Sequence, residues 1–200
     1  MAVGTGYRFP MIAEYSASGG SVTYTNLASL GRGVSMSWDV DVADSNNFYA
    51  DDVVAESIGG FFQSGSGTAV IDGLTEAIAK QILGLAATRT ENIGGNSVVV
   101  QGYGDATPPY LGLGFIRREM MEGTTYYKPI VFPKVRFSMP SGSAATQEED
   151  IDWQTQELAF TIFRDDTSNK EWKITTKDSF TSENDAMNFI RVMLGGTVSV

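Results

Sequence analysis

Apolar and polar residues alternate along much of the chain, and this pattern predicts a mainly β structure. In residues 33–42 every second position is apolar, and the positions between them carry small hydroxyls and carboxylates. Successive side chains of a strand point to opposite faces, so this period predicts a strand with one apolar and one polar face. The set predicted to pack inward is Val34, Met36, Trp38, Val40 and Val42; the polar set is Ser35, Ser37, Asp39 and Asp41.

Turn-forming residues divide the rest of the chain into further strands. Gly19-Gly20 predicts a hairpin between strands at 7–18 and 21–28. Residues 44–47, all Asp, Ser or Asn, predict a turn from which the chain returns alongside the strand through 48–58. Residues 87–97 and 141–152 are predicted as loops. Other strands are predicted at 67–72, 97–104, 110–120, 124–140, 153–166 and 169–176.

Two prolines limit the hydrogen bonding of one of these strands. Pro129 and Pro133 interrupt the segment 124–140, and proline cannot donate a hydrogen bond to a ladder. We therefore expect an edge strand or a bulged one.

The period changes twice from two to that of a helix. Leu74, Ile78 and Ile82 repeat at four residues and predict a helix ending at Gly84. A second helical face follows Ser182, a predicted N-cap, and stops at Gly195-Gly196. The sum is a mainly β (α+β) chain: an antiparallel β-sandwich or split barrel with one central flanking helix and a C-terminal helix. We expect a single domain over residues 1–200.

Composition narrows the chemistry. The chain of 200 residues has no cysteine and no histidine, which removes thiol and imidazole catalysis and the commonest zinc ligands. A net charge of −10 argues against a protein that grips nucleic acid through clustered Lys and Arg. We expect no enzyme activity, no catalytic residue, no metal and no cofactor.

Targeting signals are also missing from the pattern. The first ten residues lack a cationic segment followed by an apolar core, and no window approaches a membrane span. We expect synthesis in a cytoplasm and no membrane association.

Three short segments contain residue types that occur at chemical sites. Residues 148–152 (EEDID) lack the spacing of an EF-hand calcium loop and are predicted as a solvated acidic loop. The glycines of 102–114 precede no Gly-Lys-Ser/Thr, so Gly112 and Gly114 are predicted to sit where another backbone comes close. Arg117 and Arg118 are predicted to form ion pairs between subunits.

A set of motifs in a fixed order resembles the major tail proteins of long-tailed, non-contractile bacteriophages. The motifs are the acidic turn-and-return at 49–52, the helix at 74–84, and a P-Y-x-x-x-G-F strand at 109–115. They continue with the strand at 127–132 and an acidic loop leading into W-Q-T-x-x-L at 153–158. The resemblance covers residues 33–194.

This resemblance implies a β-sandwich or split barrel of the tail-tube type, assembled as homo-hexameric rings stacked into a tube. It implies a channel for the tape-measure protein and for double-stranded genome DNA. The other implied partners are tail terminator and distal tail proteins, and the implied location is the virion. Residues 1–20 and 195–200 are expected to act as arms between subunits.

The acidic pattern suits such a channel. DNA carries about one charge per 1.7 Å of axis, so a basic bore would hold it, whereas an acidic wall repels it within a Debye length of about 8 Å. Ser35, Ser37, Asp39 and Asp41 are therefore expected to face the lumen. The end of the same hairpin is expected to contact the next ring through Asp44, Asn46, Asn47, Phe48, Tyr49, Asp51 and Asp52.

Other functions stay open at this point. One is the tube protein of a contractile injection or secretion system, which a sheath-binding outer surface would distinguish. Another is a carbohydrate-binding sandwich that uses Trp38, Trp153 and Trp172 as a platform. A hydrolase that works with carboxylates alone is the most remote.

Overall fold

The structure is a computed structural model that describes residues 3–50, 52–85, 88–142 and 154–198. It is mainly β, with antiparallel sheets and two helices, as the sequence predicted. The helices are α1 (Glu76–Leu83) and α2 (Glu183–Met193). The strands are β1 (Val3–Ser18), β2 (Ser21–Ser29), β3 (Gly33–Val42), β4 (Asn46–Ala50), β5 (Val53–Ile58), β6 (Phe62–Ile71), β7 (Thr88–Ile93), β8 (Asn96–Gln101), β9 (Leu111–Met121), β10 (Thr124–Phe137), β11 (Gln156–Phe163) and β12 (Ile174–Thr175).

Eight of the strands form one sheet in the order β2-β1-β9-β10-β11-β6-β3, and β12 pairs with β10. The sheet curves over on itself. Trp38 of the edge strand β3 contacts Phe115 of β9 and Phe132 of β10, with ring centroids 5.7 and 5.8 Å apart. Gly33, the first residue of β3, lies against the Tyr7 ring of β1. The core thus sits inside a strongly curved sheet.

A second apolar layer covers the outer face of β1, β9 and β10. Helix α2 places Ala186, Ile190 and Leu194 there, against residues that include Ile116 and Val131. The predicted end of α1 at Gly84 and the predicted N-cap of α2 at Ser182 are confirmed, and Thr75 caps α1. Thr75 and Ser182 accept hydrogen bonds from the first turns, and Gly84 ends α1 with a φ of 63°.

Gly112 and Gly114 make the close fit of α2 possible. A Cβ at Gly114 would lie 2.4 Å from Cγ2 of Ile190, and one at Gly112 would lie 2.5 Å from Cδ2 of Leu194. The glycines therefore admit helix side chains, and the expectation that another backbone approaches them is wrong.

The partner predicted for β3 is also wrong. β3 pairs with β6, from Gly33 opposite Ile71 to Val42 opposite Phe62. Residues 46–58 form a separate hairpin of β4 and β5, and its turn lies between Ala50 and Val53. The ladder reaches Ala43, whose N–H donates to the carbonyl of Phe61 at 2.8 Å. Residues 44–47 therefore connect two parts of a long ribbon and are not its turn.

Two more predictions need correction. β10 is a central strand between β9 and β11, so its prolines do not mark an edge, although the predicted bulge does occur after Phe132. Residues 88–101, predicted in part as a loop, form the hairpin of β7 and β8 around Gly94-Gly95. Both glycines have positive φ there, at 61° and 84°.

Candidate assembly and channel surfaces

The outer face of β3, β6 and β11 is a mostly polar surface, which we call the hydroxyl face. In register, Asp39 lies opposite Ser66, which lies opposite Thr161; Ser37 lies opposite Thr68 in the neighbouring row. Directly opposed residues share a face. The polar residues of the hydroxyl face are Ser35, Ser37, Asp39, Asp41, Ser64, Ser66, Thr68, Glu157 and Thr161, and Val70 and Ala159 lie among them.

The opposite side of the same strands explains why this face points outward. Leu158, Phe160 and Ile162 of β11 are buried in the core. Gly67 of β6 leaves room for the Phe160 ring, since a Cβ there would lie 2.4 Å from its Cζ. Large rings inside and small hydroxyls outside fix which way these strands face.

The four polar residues predicted on β3 are all exposed, and they lie together on this face. The predicted inward set is right at Met36 and Trp38, which pack against the core. It is wrong at the strand ends, because Val34 and Val42 expose 54% and 56% of their surface. The core beneath β3 covers its middle only.

The hydroxyl face is acidic within its three strands. β3, β6 and β11 contain Asp39, Asp41 and Glu157 and no lysine or arginine. Asp41 accepts a hydrogen bond from the Ser64 hydroxyl at 3.1 Å. On β10 the same row continues with the exposed Arg136, which lies opposite Thr161 and whose guanidinium lies 5.0 Å from the centre of the Tyr110 ring.

A second cation, Lys134 of β10, pairs with a carboxylate of the loop after β11. Lys134 Nζ lies 2.6 Å from Oδ2 of Asp166, which also accepts from the Tyr15 hydroxyl at 2.7 Å. The bond from Lys134 holds the pKa of Asp166 below its usual value. Burial raises the pKa of Tyr15 and of Tyr24, so both stay neutral donors.

The hairpin of β4 and β5, which we call the projecting hairpin (residues 46–58), is exposed along nearly its whole length. Phe48 and Tyr49 expose 64% and 62% of their surface, as their position beside polar residues suggested. Sequence reasoning missed the other exposed apolar residues of this segment, although the Val53-Val54 pair signalled them: Val53, Val54, Ile58 and, at its base, Phe61.

The remaining residues predicted on this hairpin occupy different places. Asp44 is exposed, but at the base of the hairpin. Asn46 is exposed at the start of β4, and Asn47 is half-buried and accepts from the Ser57 hydroxyl at 2.6 Å. Asp52 is exposed beside the turn with a φ of 63°. Asp51 lies outside the described residues.

The two adjacent arginines already have partners within the chain. Arg117 Nε donates to Oε1 of Glu119 at 2.9 Å, and Glu119 is buried. Arg118 Nε donates to the Thr5 hydroxyl at 3.3 Å. Arg117 thus has an ion-pair partner within the chain, and the ion pairs expected between subunits stay a prediction.

The tryptophans do not form an exposed platform in the described part of the chain. Trp38 is half-buried against core rings, and Trp172 stacks on Phe62 with ring planes 6° apart. Trp172 lies just outside β12, and Trp153 and residues 148–152 are outside the described residues. One face of the Trp172 ring is therefore covered by Phe62, and the Trp38 ring packs on the core.

Comparison with known proteins gives no family. The chain matches no protein-family model and no curated protein. Among the described residues, no cluster of three or more acidic side chains could hold a metal ion. Within the same ranges, no helix is long and apolar enough to cross a bilayer. The surfaces themselves must carry any functional conclusion.

Proposed function

We propose that this chain is the structural subunit of a hollow tube of the kind found in long, non-contractile bacteriophage tails. Six copies form a ring, the rings stack, and the bore passes the tape-measure protein and then double-stranded DNA. The observation that carries the proposal is the hydroxyl face: three adjacent strands present hydroxyls and three carboxylates on one side and the core on the other. The protein acts by polymerising and by conducting, without catalysis.

The hydroxyl face suits a wall along which a polyanion slides. Carboxylates repel phosphate, and the small hydroxyls of β3, β6 and β11 put no long cationic side chain on these three strands that could grip it. Because the repulsion acts within about 8 Å at physiological salt, it keeps DNA off the wall without opposing passage along the centre. The face therefore serves the lumen better than an ordinary outer surface.

The edges of the main sheet supply a route to ring closure. β2 and β3 are its terminal strands, so each has one side that carries no ladder partner in the sheet order. Such edges pair readily with another chain. Lateral addition of neighbouring copies at these edges would extend the hydroxyl face around a ring, with the projecting hairpin left for contact along the axis.

Negative-stain images of the purified protein at high concentration test the proposal. Hollow rods or six-fold annuli are expected. A protein that stays monomeric in sizing chromatography and binds polysaccharide would contradict it and favour the carbohydrate-binding alternative.

A further inference from the structure

A cavity of about 610 Å³ lies where β1, the start of β3 and helix α1 meet. Its apolar lining includes Phe9, Leu30 and Ile78, and Arg8 and Arg32 lie among its polar groups. A concave site of this size, with an apolar floor and few polar groups, is suited to hold aromatic side chains.

One group in the cavity has an unmet hydrogen bond. Tyr7 lines it, and the Tyr7 hydroxyl is buried without a partner among the residues that the structure describes. The ring is fixed edge-on to Phe115, with centroids 5.5 Å apart. Buried hydroxyls in proteins nearly always have a partner, so Tyr7 contributes an unsatisfied polar group behind the apolar lining of the cavity.

The rim of the cavity carries a highly exposed cation in a loose ion pair with Asp72. The Arg32 side chain is 93% exposed, and its Nε lies 3.7 Å from Oδ2 of Asp72. That separation is too long for a hydrogen bond. Arg8, by contrast, is engaged by Glu183 at 2.8 Å. Arg32 is therefore the cation that an acidic partner would meet.

The cavity and the projecting hairpin lie at opposite ends of one ribbon. Gly33 and Asp72 border the cavity where β3 begins and just after β6 ends. The projecting hairpin grows from the other end, beyond Val42 and Phe62. Ten residues of β3 span roughly 30 Å at about 3.3 Å per residue.

The projecting hairpin exposes side chains that are complementary to the lining of the cavity. It exposes the aromatic rings of Phe48 and Tyr49, and it exposes the carboxylates of Asp52 and Glu56. Its two strands contain no lysine or arginine. Aromatic anchors with acidic neighbours match an apolar pocket lined by two arginines, Arg8 and Arg32, and by one carboxylate, Asp72.

We propose that the cavity of one copy receives the projecting hairpin of the next copy along the tube axis. Phe48 and Tyr49 enter the apolar part, and the hairpin carboxylates meet Arg32. Since donor and acceptor are different surfaces at opposite ends of the ribbon, the contact is heterologous and repeats without closing. This inference rests on the proposed function and adds the acceptor surface for ring stacking.

Cross-linking of single-cysteine variants tests the contact, because the natural chain has no cysteine to interfere. Ser29→Cys places a thiol in the cavity lining, and Val53→Cys places one at the hairpin turn. A short bismaleimide should give covalent dimers in a mixture of the two variants but not with either alone. The matched control replaces Val53→Cys by Val99→Cys, an equally exposed position on the other hairpin.

The outcomes separate the two proposals. Rods with the mixed dimer, and without the control dimer, support both. Rods without the mixed dimer, or with an equal yield from Val99→Cys, overturn the acceptor surface and leave the tube intact. A mixed dimer without rods supports the contact and counts against the tube, and the absence of both rods and dimer overturns both.

Charge reversal gives a second test that does not depend on cross-linking. Arg32→Glu and Glu56→Lys should each reduce rod yield about tenfold or more, since like charges would meet in the interface. The double variant should regain most of the yield. Arg89→Glu, on the other hairpin, should have no effect. Equal rod yield in all variants would exclude the proposed pairing.

Discussion

Gly114 shows how a single residue decides the fit of a whole helix. Its missing Cβ makes room for Ile190 of α2, which is fully buried on the outer face of the sheet. The sequence marked this glycine as a site of close approach, because glycine alternates with Leu and Phe in a strand pattern. It could not say what approaches, since the helix arrives from nearly eighty residues further along the chain.

Gly114→Ala should lower the free energy of unfolding by about 1–3 kcal/mol, the usual cost of overpacking a core. Urea unfolding measures it. Gly104→Ala is the matched control, because nothing lies within 4 Å of its added Cβ. Adding Ile190→Ala to Gly114→Ala should cost less than the sum of the two single changes. Additive costs would mean that the two residues do not touch.

Asp166 gives the fold a dependence on acid pH. Its pKa is lower in the folded state, chiefly because Lys134 donates to it, so the unfolded chain binds more protons in the acid range. The stabilisation is therefore complete above the unfolded pKa of about 3.9 and is lost as the pH falls through the lower folded value.

Asp166→Asn should reduce the difference in urea midpoint between pH 7 and pH 3. The variant should be less stable than the natural protein at pH 7, and this gap should narrow as the pH falls below the unfolded pKa of about 3.9. Glu171→Gln, a change to another exposed acid of the same loop, is the control. An unchanged difference between the two pH values in Asp166→Asn would contradict the role given to this carboxylate.

At the scale of elements, local patterns predicted strands and helices well but predicted partners poorly. Both helices, their caps and the Gly19-Gly20 hairpin follow from residues close in sequence. The pairing of β3 with β6 joins strands that the projecting hairpin separates in the chain. The Asp-Ser-Asn-Asn segment has the composition of a turn but is not the turn of that hairpin. The projecting hairpin was thus placed in the correct segment but attached in the wrong way.

Removing the aromatic rings of that hairpin should act on assembly and leave the fold unchanged. Phe48→Ala with Tyr49→Ala should shorten tubes and lower their yield, because both rings are largely exposed in the single chain and only a partner can bury them. Electron microscopy measures tube length, and thermal unfolding of the single chain should change little. Ile93→Ala with Val99→Ala, equally exposed on the other hairpin, is the control pair. The idea fails if the two double variants give tubes of equal length.

At the scale of the whole molecule, the sequence predicted only the part of the hydroxyl face that lies on β3. The strict alternation of residues 33–42 predicted its polar residues, Ser35, Ser37, Asp39 and Asp41. Ser66, Thr68 and Thr161 were not predicted, because hydroxyls are common on any exposed strand and only the sheet order brings them into line. The acceptor cavity could not be predicted from the sequence, since it forms between segments far apart in the chain.

Charge reversal on the hydroxyl face should slow DNA. Asp39→Lys with Asp41→Lys would place two ammonium groups per copy where carboxylates repel phosphate, and intact tails should eject DNA more slowly and with a stronger dependence on salt. Glu91→Lys with Asp105→Lys makes the same change in net charge at exposed positions off this face. Ejection at natural speed from tails built with the first variant would argue against an acidic bore.

The most direct measurement is a cryo-electron microscopy map of the assembled protein, read for the direction in which β3, β6 and β11 face. We expect a hollow particle whose hole is lined by Asp39, Asp41 and Glu157, with the hydroxyls between them. A particle that turns these carboxylates outward and lines its hole with lysine or arginine would contradict the account.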